Sequence, residues 1–141
     1  MTQEEKDLLL KDLCARFPYE IKADKYTIRM DGEFVPIANI EIVTAKDILA
    51  RNECPGYTIK PYLFPLSSMT EEQWMDTPYA NLNKYTFDSF KCGCSTLAFE
   101  TYEVNLSYVV EFINWCYKNH FDIYGLIPMG LANDATGLNI Y

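Results

Sequence analysis

Apolar residues near the start of the chain recur at the spacing of an amphipathic helix. The stripe consists of Leu9, Leu10, Leu13 and Phe17, while Glu4, Asp7, Lys11 and Asp12 fall on the rest of the cylinder. Thr2 and Glu5 have the spacing of a capping box, in which each side chain bonds the backbone N–H of the other residue. Pro18 ends the helix, because a residue that precedes proline avoids the helical region.

The next segments have the pattern of a β-hairpin. Residues 25–30 and 33–37 flank the dipeptide Asp31-Gly32, which is a strong signal for a two-residue turn. Pro36 has no N–H to donate to a ladder, so its segment is predicted at a sheet edge or at a bulge.

Two more strands follow from the same kind of pattern. Residues 39–44 alternate between apolar and polar positions, as a half-buried strand does. Residues 57–60 are extended in character, and Pro61 and Pro65 keep the following stretch out of a helix.

A second capping signature begins a short helix in the middle of the chain. Thr70 as the N-cap and Gln73 form the box, and Met69 and Trp74 occupy the positions of a hydrophobic staple. Pro78 limits this helix to about two turns.

The second half of the chain predicts two strands and the longest helix. The strands are residues 85–90 and 95–104, on either side of Cys92-Gly93-Cys94. The helix begins at Asn105 or Ser107 and ends at Asn119. Its wide apolar face indicates a buried position and comprises Leu106, Val109, Phe112, Ile113, Trp115, Cys116 and Tyr117.

A last short helix is predicted near the C-terminal end of the sequence. Asp122 caps it, it extends through Leu126, and Pro128 and Gly130 limit it. The remaining residues, 133–141, are typical of turns.

Together these elements predict one α+β domain that covers residues 1–141. We expect a small twisted antiparallel sheet or a partly open barrel, with an N-terminal helix and a longer C-terminal helix. A chain of 141 residues is long enough to bury a core without disulfides or metals.

Several stretches resemble a group of small proteins found in anaerobic gut bacteria and in their phages and mobile elements. They are residues 1–16, 60–73 (KPYLFPLSSMTEEQ), 119–127 (NHFDIYGLI) and 130–141 (GLANDATGLNIY). Where the group has Tyr-Arg-Gly after the aspartate, this chain has Ile123-Tyr124-Gly125. The resemblance implies a bacterial or phage setting and an accessory role, and it brings no activity, cofactor or site residue.

The charge balance argues against nucleic-acid binding. Twenty acidic and twelve basic residues give a formal charge of −8. From residue 92 onward the acids are Glu100, Glu103, Glu111, Asp122 and Asp134, against the single cation Lys118. Binding to phosphates depends on Lys and Arg, so this segment serves either solubility or docking on a basic partner.

Five cysteines and an acidic, polar start (MTQEEKD) indicate a cytoplasmic protein with reduced thiols. No apolar run is long enough to span a bilayer, so we expect no membrane association.

Two cysteine–histidine combinations are chemically possible. Cys116 and His120 are one helical turn apart, but adjacent turns of a helix rarely align a nucleophile with its base. We therefore favour a core cysteine and a His120 at the helix C-terminus, where partial positive charge suits the dipole. Alternatively, Cys92, Cys94, Cys116 and His120 supply the number and kind of ligands of a structural zinc site, although their spacing is unusual.

The sequence contains neither a phosphate-binding loop nor a nucleophile motif. It is rich in tyrosine, with eleven, a residue favoured both in interfaces and in half-buried strands. We therefore predict a non-enzymatic accessory protein without a cofactor. It binds another protein or a small ligand through a tyrosine-rich sheet surface and a corner formed by His120, Asp122 and Tyr124.

Two alternatives remain open at this point. The first is a phage-encoded inhibitor that engages a host protein or sequesters a nucleotide signal. The second is a small structural-zinc protein that uses the Cys3His set.

Overall fold

The computed structural model describes residues 1–81, Phe87 and residues 106–141 of the chain. The helices are α1 (Gln3–Arg16), α2 (Ala45–Glu53), α3 (Glu71–Met75) and α4 (Leu106–Lys118). The strands are β1 (Lys22–Ile28), β2 (Phe34–Ile42), β3 (Tyr57–Pro65), β4 (Phe121–Asp122) and β5 (Asn133–Asp134). Short 3₁₀ turns are Phe17–Tyr19, Leu66–Ser68 and Pro78–Asn81.

The first helix forms as predicted. The Thr2 hydroxyl accepts from the backbone N–H of Glu5 (3.2 Å), and the Glu5 carboxylate accepts from the N–H of Thr2 (2.6 Å). Leu9 and Leu13 are fully buried. Phe17 lies beyond the end of α1 and is 44% exposed, so the buried stripe is shorter than the pattern indicates.

The sheet has the order β2-β1-β3-β4, and β5 also pairs with β3. β1 is antiparallel to β2 and to β3, whereas β4 and β5 are both parallel to β3. The α+β class and the N-terminal helix are confirmed. The sheet is mixed rather than antiparallel throughout, and it does not close into a barrel. Within the described residues α1 spans 14 residues and α4 spans 13.

β2 is the edge strand that Pro36 predicts. Its register against β1 shifts on both sides of Lys25, and Ile40 has a φ of 52°. The two segments predicted at residues 33–37 and 39–44 are therefore parts of one kinked strand. Ile40 is 42% exposed and Ile42 is 48% exposed, so the prediction of a half-buried strand at 39–44 is wrong.

The helix α2 was not predicted from the sequence. Thr44 caps it with the same reciprocal bonds that start α1: the Asp47 carboxylate accepts from the N–H of Thr44 (2.7 Å), and the Thr44 hydroxyl accepts from that of Asp47 (3.4 Å). Ile48 packs against the core, but Leu49 is 57% exposed. The signal that could have predicted it is local, since Thr44 with an acidic residue three positions later has the spacing of a capping box.

Among the described residues, the buried side chains form two clusters. The first, which packs α1 on the sheet, comprises Leu9, Leu13, Ile21, Ala23, Val43, Ile59, Leu63, Leu126, Leu131 and Ala132. The second, around α3 and α4, comprises Leu66, Met69, Trp74, Phe112, Cys116 and Phe121. Met69 and Trp74 lie in the same cluster, as a hydrophobic staple across Thr70 predicts, and Thr70 forms its capping box with Gln73.

Some predictions fall outside the described part of the chain. They are the strand at 95–104, the strand at 85–90 apart from Phe87, and the residues Cys92, Cys94, Glu100 and Glu103. Among the helices of the described ranges, none has the length and apolar character needed to cross a membrane.

Candidate functional site

The predicted corner begins where α4 ends. The backbone N–H of His120 donates to the carbonyl of Tyr117 (3.2 Å), and His120 has a φ of 62°, the left-handed conformation that commonly terminates helices. The chain then enters β4, where the His120 carbonyl accepts from the N–H of Phe64 (2.9 Å). The turn at His120 therefore directs the corner onto the end of β3.

The His120 imidazole is built into the protein interior. It is only 9% exposed and stacks on the Tyr141 ring, with 3.7 Å between centroids and 11° between planes. Its Nδ1 is buried and has no hydrogen-bond partner. Burial and the positive charges of Arg16 and Lys22 lower the pKa of His120 to about 4. The imidazole is therefore neutral at pH 7, and the expectation of a positive His120 at the helix terminus is wrong.

Asp122 is buried and fixes the turn that follows β4. Its two carboxylate oxygens accept from the backbone N–H groups of Leu126 (2.9 Å) and Ile127 (2.8 Å). Asp122 does cap the following backbone, but residues 125–130 form a series of turns and not the predicted short helix. Its acceptor atoms are engaged within the chain.

Tyr124 contacts a different neighbour from either of these residues. Its hydroxyl is 3.1 Å from that of Tyr117, and the Lys11 ammonium lies 5.5 Å from the centre of its ring. The three residues predicted for one site thus have separate partners: a ring for His120, backbone amides for Asp122 and a hydroxyl for Tyr124. Their role in binding stays a prediction.

A buried ion pair beside this corner was missed. Arg16 and Asp12 are both fully buried, and Nε and Nη2 of the guanidinium donate to the two carboxylate oxygens (2.7 and 2.9 Å). Nη2 also donates to the carbonyl of Phe121 (2.6 Å), and the guanidinium lies 5.0 Å from the centre of the Tyr117 ring. Asp12 is therefore a core residue, and its predicted place on the polar face of α1 is wrong. The i, i+4 spacing of an acid and an arginine was the available signal.

The cysteine–histidine chemistry gains no support from the geometry. Cys116 is fully buried, and burial raises its thiol pKa to about 12, which disfavours the nucleophilic thiolate. Within the described ranges no three or more His, Cys, Asp and Glu side chains are placed to hold a metal ion. Because Cys92 and Cys94 lie outside those ranges, the Cys3His set is not tested.

A second polar cluster lies on the sheet. The Asp24 carboxylate, in a residue 8% exposed, accepts from the hydroxyls of Tyr26 (3.2 Å) and Tyr62 (2.9 Å) and from the side-chain amide of Asn133 (3.1 Å). Its other oxygen accepts from the backbone N–H of Ile40 (3.0 Å). The left-handed conformation of Ile40 therefore coincides with a specific contact across the strands.

The same cluster holds the two tyrosine side chains in place. Burial, together with the hydrogen bond to Asp24, raises the pKa of Tyr62 to about 12. Burial and the Asp24 charge raise the pKa of Tyr26 in the same direction. Both phenols are neutral donors at pH 7.

These tyrosines belong to the sheet face opposite α1. On β1, Ala23 belongs to the core under α1. Tyr26 and Ile28 lie three and five residues further along the strand, so their side chains point to the opposite face of the sheet. Pro36 lies directly opposite Tyr26, and Phe34 lies opposite Ile28, so their side chains share that face. We call Tyr26, Ile28, Phe34, Pro36 and Tyr62 the open sheet face.

The open sheet face combines apolar exposure with fixed aromatic groups. Phe34 is 56% exposed and Ile28 is 39% exposed, while Tyr26 and Tyr62 are half-buried. A tyrosine-rich sheet surface was expected from the sequence, but Asp24 was not, because its partners come from four different strands.

No family model, curated protein or solved structure matches this chain.

Proposed function

We propose that this chain is a non-enzymatic binding protein that engages a partner protein through the open sheet face. The observation that carries the proposal is the pair Phe34 and Ile28, which are exposed and adjacent on neighbouring strands beside two tyrosines. Aromatic residues are enriched at protein interfaces and among the residues that contribute most to binding.

Preorganisation of this face supports the proposal. Asp24 accepts from both tyrosine hydroxyls, so Tyr26 and Tyr62 are held before any partner arrives. Side chains that are already ordered lose less conformational entropy on association. The face therefore offers contact area at a low entropic cost.

The acidic residues offer a weaker basis for docking. Glu111 and Asp134 are exposed, but Asp122 is buried and bonded to backbone amides. An inhibitor that docks on a basic host protein through these acids has fewer charges available than the sequence suggests. Docking through the acidic residues remains an alternative that the experiment below also tests.

The binding role is proposed for a bacterial or phage-infected cytoplasm. Cys14 and Cys54 are exposed free thiols, and Cys116 is a buried one. Exposed free thiols fit a reducing compartment. The resemblance to proteins of gut bacteria and their phages points to the same setting.

Affinity capture with three matched baits tests the proposal. The baits are the wild type, Phe34→Ser and Leu49→Ser, because Phe34 and Leu49 are exposed to the same degree (56% and 57%) and only Phe34 lies on the open sheet face. We expect a partner that the wild type and L49S retain and that F34S loses at least about tenfold, as truncation of a central aromatic contact predicts.

A partner retained equally by all three baits contradicts the proposal. If such a partner is instead lost with Glu111→Gln, the acidic alternative replaces it. Thermal unfolding of each bait verifies that F34S is folded, as expected for an exposed side chain.

A further inference from the structure

A groove of about 220 Å³ lies where the start of α1 meets the end of α2 and the first residues of β2 and β3. Lys6 and Asp7 line it from α1, Arg51 from α2, and Phe34 and Tyr57 from the two strands. None of the residues predicted from the sequence as a site belongs to it.

The side chains that line the groove carry a net positive charge, although the protein as a whole is acidic. The chain carries a formal charge of −8, yet the groove lining contains two cations, Lys6 and Arg51, against one carboxylate, Asp7. Among the described residues, neither cation has a carboxylate oxygen within the 4.0 Å of an ion pair. The Asp7 carboxylate instead accepts from the side-chain amide of Gln3 (2.8 Å).

Arg51 is held in place without being neutralised. Its Nη2 donates to the backbone carbonyl of Lys6 (2.9 Å) and lies 3.8 Å from the sulfur of Met1. The side chain is half-buried, and burial lowers the pKa of the guanidinium, which the charge of Asp7 opposes. A fixed, half-buried guanidinium binds a carboxylate or phosphate more strongly than a mobile surface cation does.

Apolar side chains form much of the rest of the wall. They are Met1, Leu10, Phe34, Pro55 and Tyr57, while Gln3 and Thr58 add polar groups. The groove therefore places an apolar surface beside the two cations.

We propose that this groove binds a small organic anion, in which a carboxylate or phosphate group that meets Arg51 and Lys6 is joined to an apolar or aromatic body. The volume lies below the roughly 300–1,000 Å³ of sites for drug-sized ligands, so the ligand is small. Phe34, at the end of the sheet, borders both this groove and the open sheet face. The inference rests on Arg51 and Lys6, and it does not depend on the proposed protein-binding role of that face.

Titration of the intact protein with simple probes tests the site. The probes are benzoate, phenyl phosphate, inorganic phosphate and the neutral benzyl alcohol, followed by amide chemical shifts in two-dimensional NMR. We expect benzoate or phenyl phosphate to shift the amides of Lys6, Arg51 and Thr58 and to bind at least about tenfold more tightly than benzyl alcohol. The tighter of the two identifies the acidic group.

Charge-matched variants separate the site from general electrostatics. Lys6→Gln removes one cation but keeps the backbone carbonyl that receives Arg51, so α1 and α2 stay joined. Arg51→Gln removes the other. Lys46→Gln, at an exposed position of α2, changes the net charge equally and serves as the control. We expect at least tenfold weaker binding in K6Q and R51Q and a change below twofold in K46Q.

Three outcomes would overturn the inference. They are the absence of saturable shifts with every anionic probe, equal weakening in K46Q and K6Q, and inorganic phosphate binding as tightly as phenyl phosphate. The last result would mean that the apolar wall contributes nothing. K6Q decides the matter if R51Q fails to fold.

Discussion

Arg16 and Asp12 form an ion pair that is completely buried within α1, with both carboxylate oxygens bonded to the guanidinium. Burial raises the pKa of Asp12 above its usual value, although the hydrogen bonds and the charge of Arg16 oppose this rise. Nη2 of Arg16 also reaches the carbonyl of Phe121, so the pair ties α1 to β4. The pair thus anchors the N-terminal helix to the C-terminal part of the fold.

Breaking this pair on one side is expected to destabilise the protein strongly. Asp12→Ala leaves the Arg16 guanidinium buried without its partner, a loss of about 3–5 kcal/mol in the free energy of unfolding. Replacement of both residues by leucine and methionine should recover much of that loss, because no charge then remains buried. Urea unfolding of the two variants gives the comparison, and a loss below about 1 kcal/mol for D12A would contradict the buried geometry.

His120 is expected to make stability depend on pH between about 6.5 and 4. Its pKa is near 6.5 in the unfolded chain and about 4 in the folded protein. In that interval the unfolded state binds a proton that the folded state does not. The contribution of His120 to the free energy of unfolding is therefore fully present above pH 6.5 and is lost as the pH falls toward 4. Because His120 is the only histidine, its ring protons report the folded pKa directly by NMR.

A matched variant assigns this pH dependence. His120→Gln should lose the fall in stability that His120 causes between pH 6.5 and 4. Asp12, whose pKa is raised on folding, acts in the opposite sense and is present in both proteins, so the difference between the two curves isolates His120. Asp47, whose pKa is lowered to about 2 because hydrogen bonds from Thr44, Tyr57 and Lys25 outweigh its burial, affects stability only as the pH falls from about 4 toward 2. A folded pKa of 6 or higher for His120 would refute the stacked, buried imidazole.

The sequence predicted best what local chemistry determines. The capping boxes at Thr2 and Thr70 need only residues three positions apart, and both form. The hairpin about Gly32, with its φ of 84°, is local in the same sense, although its turn is longer than the two residues expected, because Arg29 bonds Glu33 across it. The edge position of β2 follows from Pro36 alone.

The polar clusters that were missed depend on residues far apart in the chain, whereas α2 was missed although its capping box, Thr44 with Asp47, is local. Asp12 is buried because the Phe121 carbonyl, over a hundred residues away, helps to satisfy Arg16. Asp24 gathers Ile40, Tyr62 and Asn133 from three strands. Periodicity records how polar a position is but not which partner reaches it, and so the polar clusters were not predicted.

Ile40 provides a test of the kink in β2. A β-branched residue with positive φ is strained, whereas asparagine tolerates this conformation. We expect Ile40→Asn to leave stability unchanged or to raise it by up to about 1 kcal/mol. Ile42→Asn is the control, since Ile42 is similarly exposed (48% against 42%) without a positive φ, and it should destabilise the protein by losing strand propensity. Equal losses in the two variants would argue against the kink.

The salt dependence of association distinguishes the two kinds of partner surface. Docking through exposed acids such as Glu111 and Asp134 relies on long-range attraction, which salt screens over about 10 Å at 0.1 M. The association rate would then fall steeply with salt, while the dissociation rate changes little. Most of the open sheet face is apolar or neutral aromatic, and the charged Lys60 on the same face lies directly opposite the Asp24 carboxylate. We therefore expect less than a threefold change in association rate between 0.05 and 0.5 M salt, with a negative heat-capacity change from apolar burial. A tenfold or greater fall in the association rate would instead indicate that the partner binds the acidic residues.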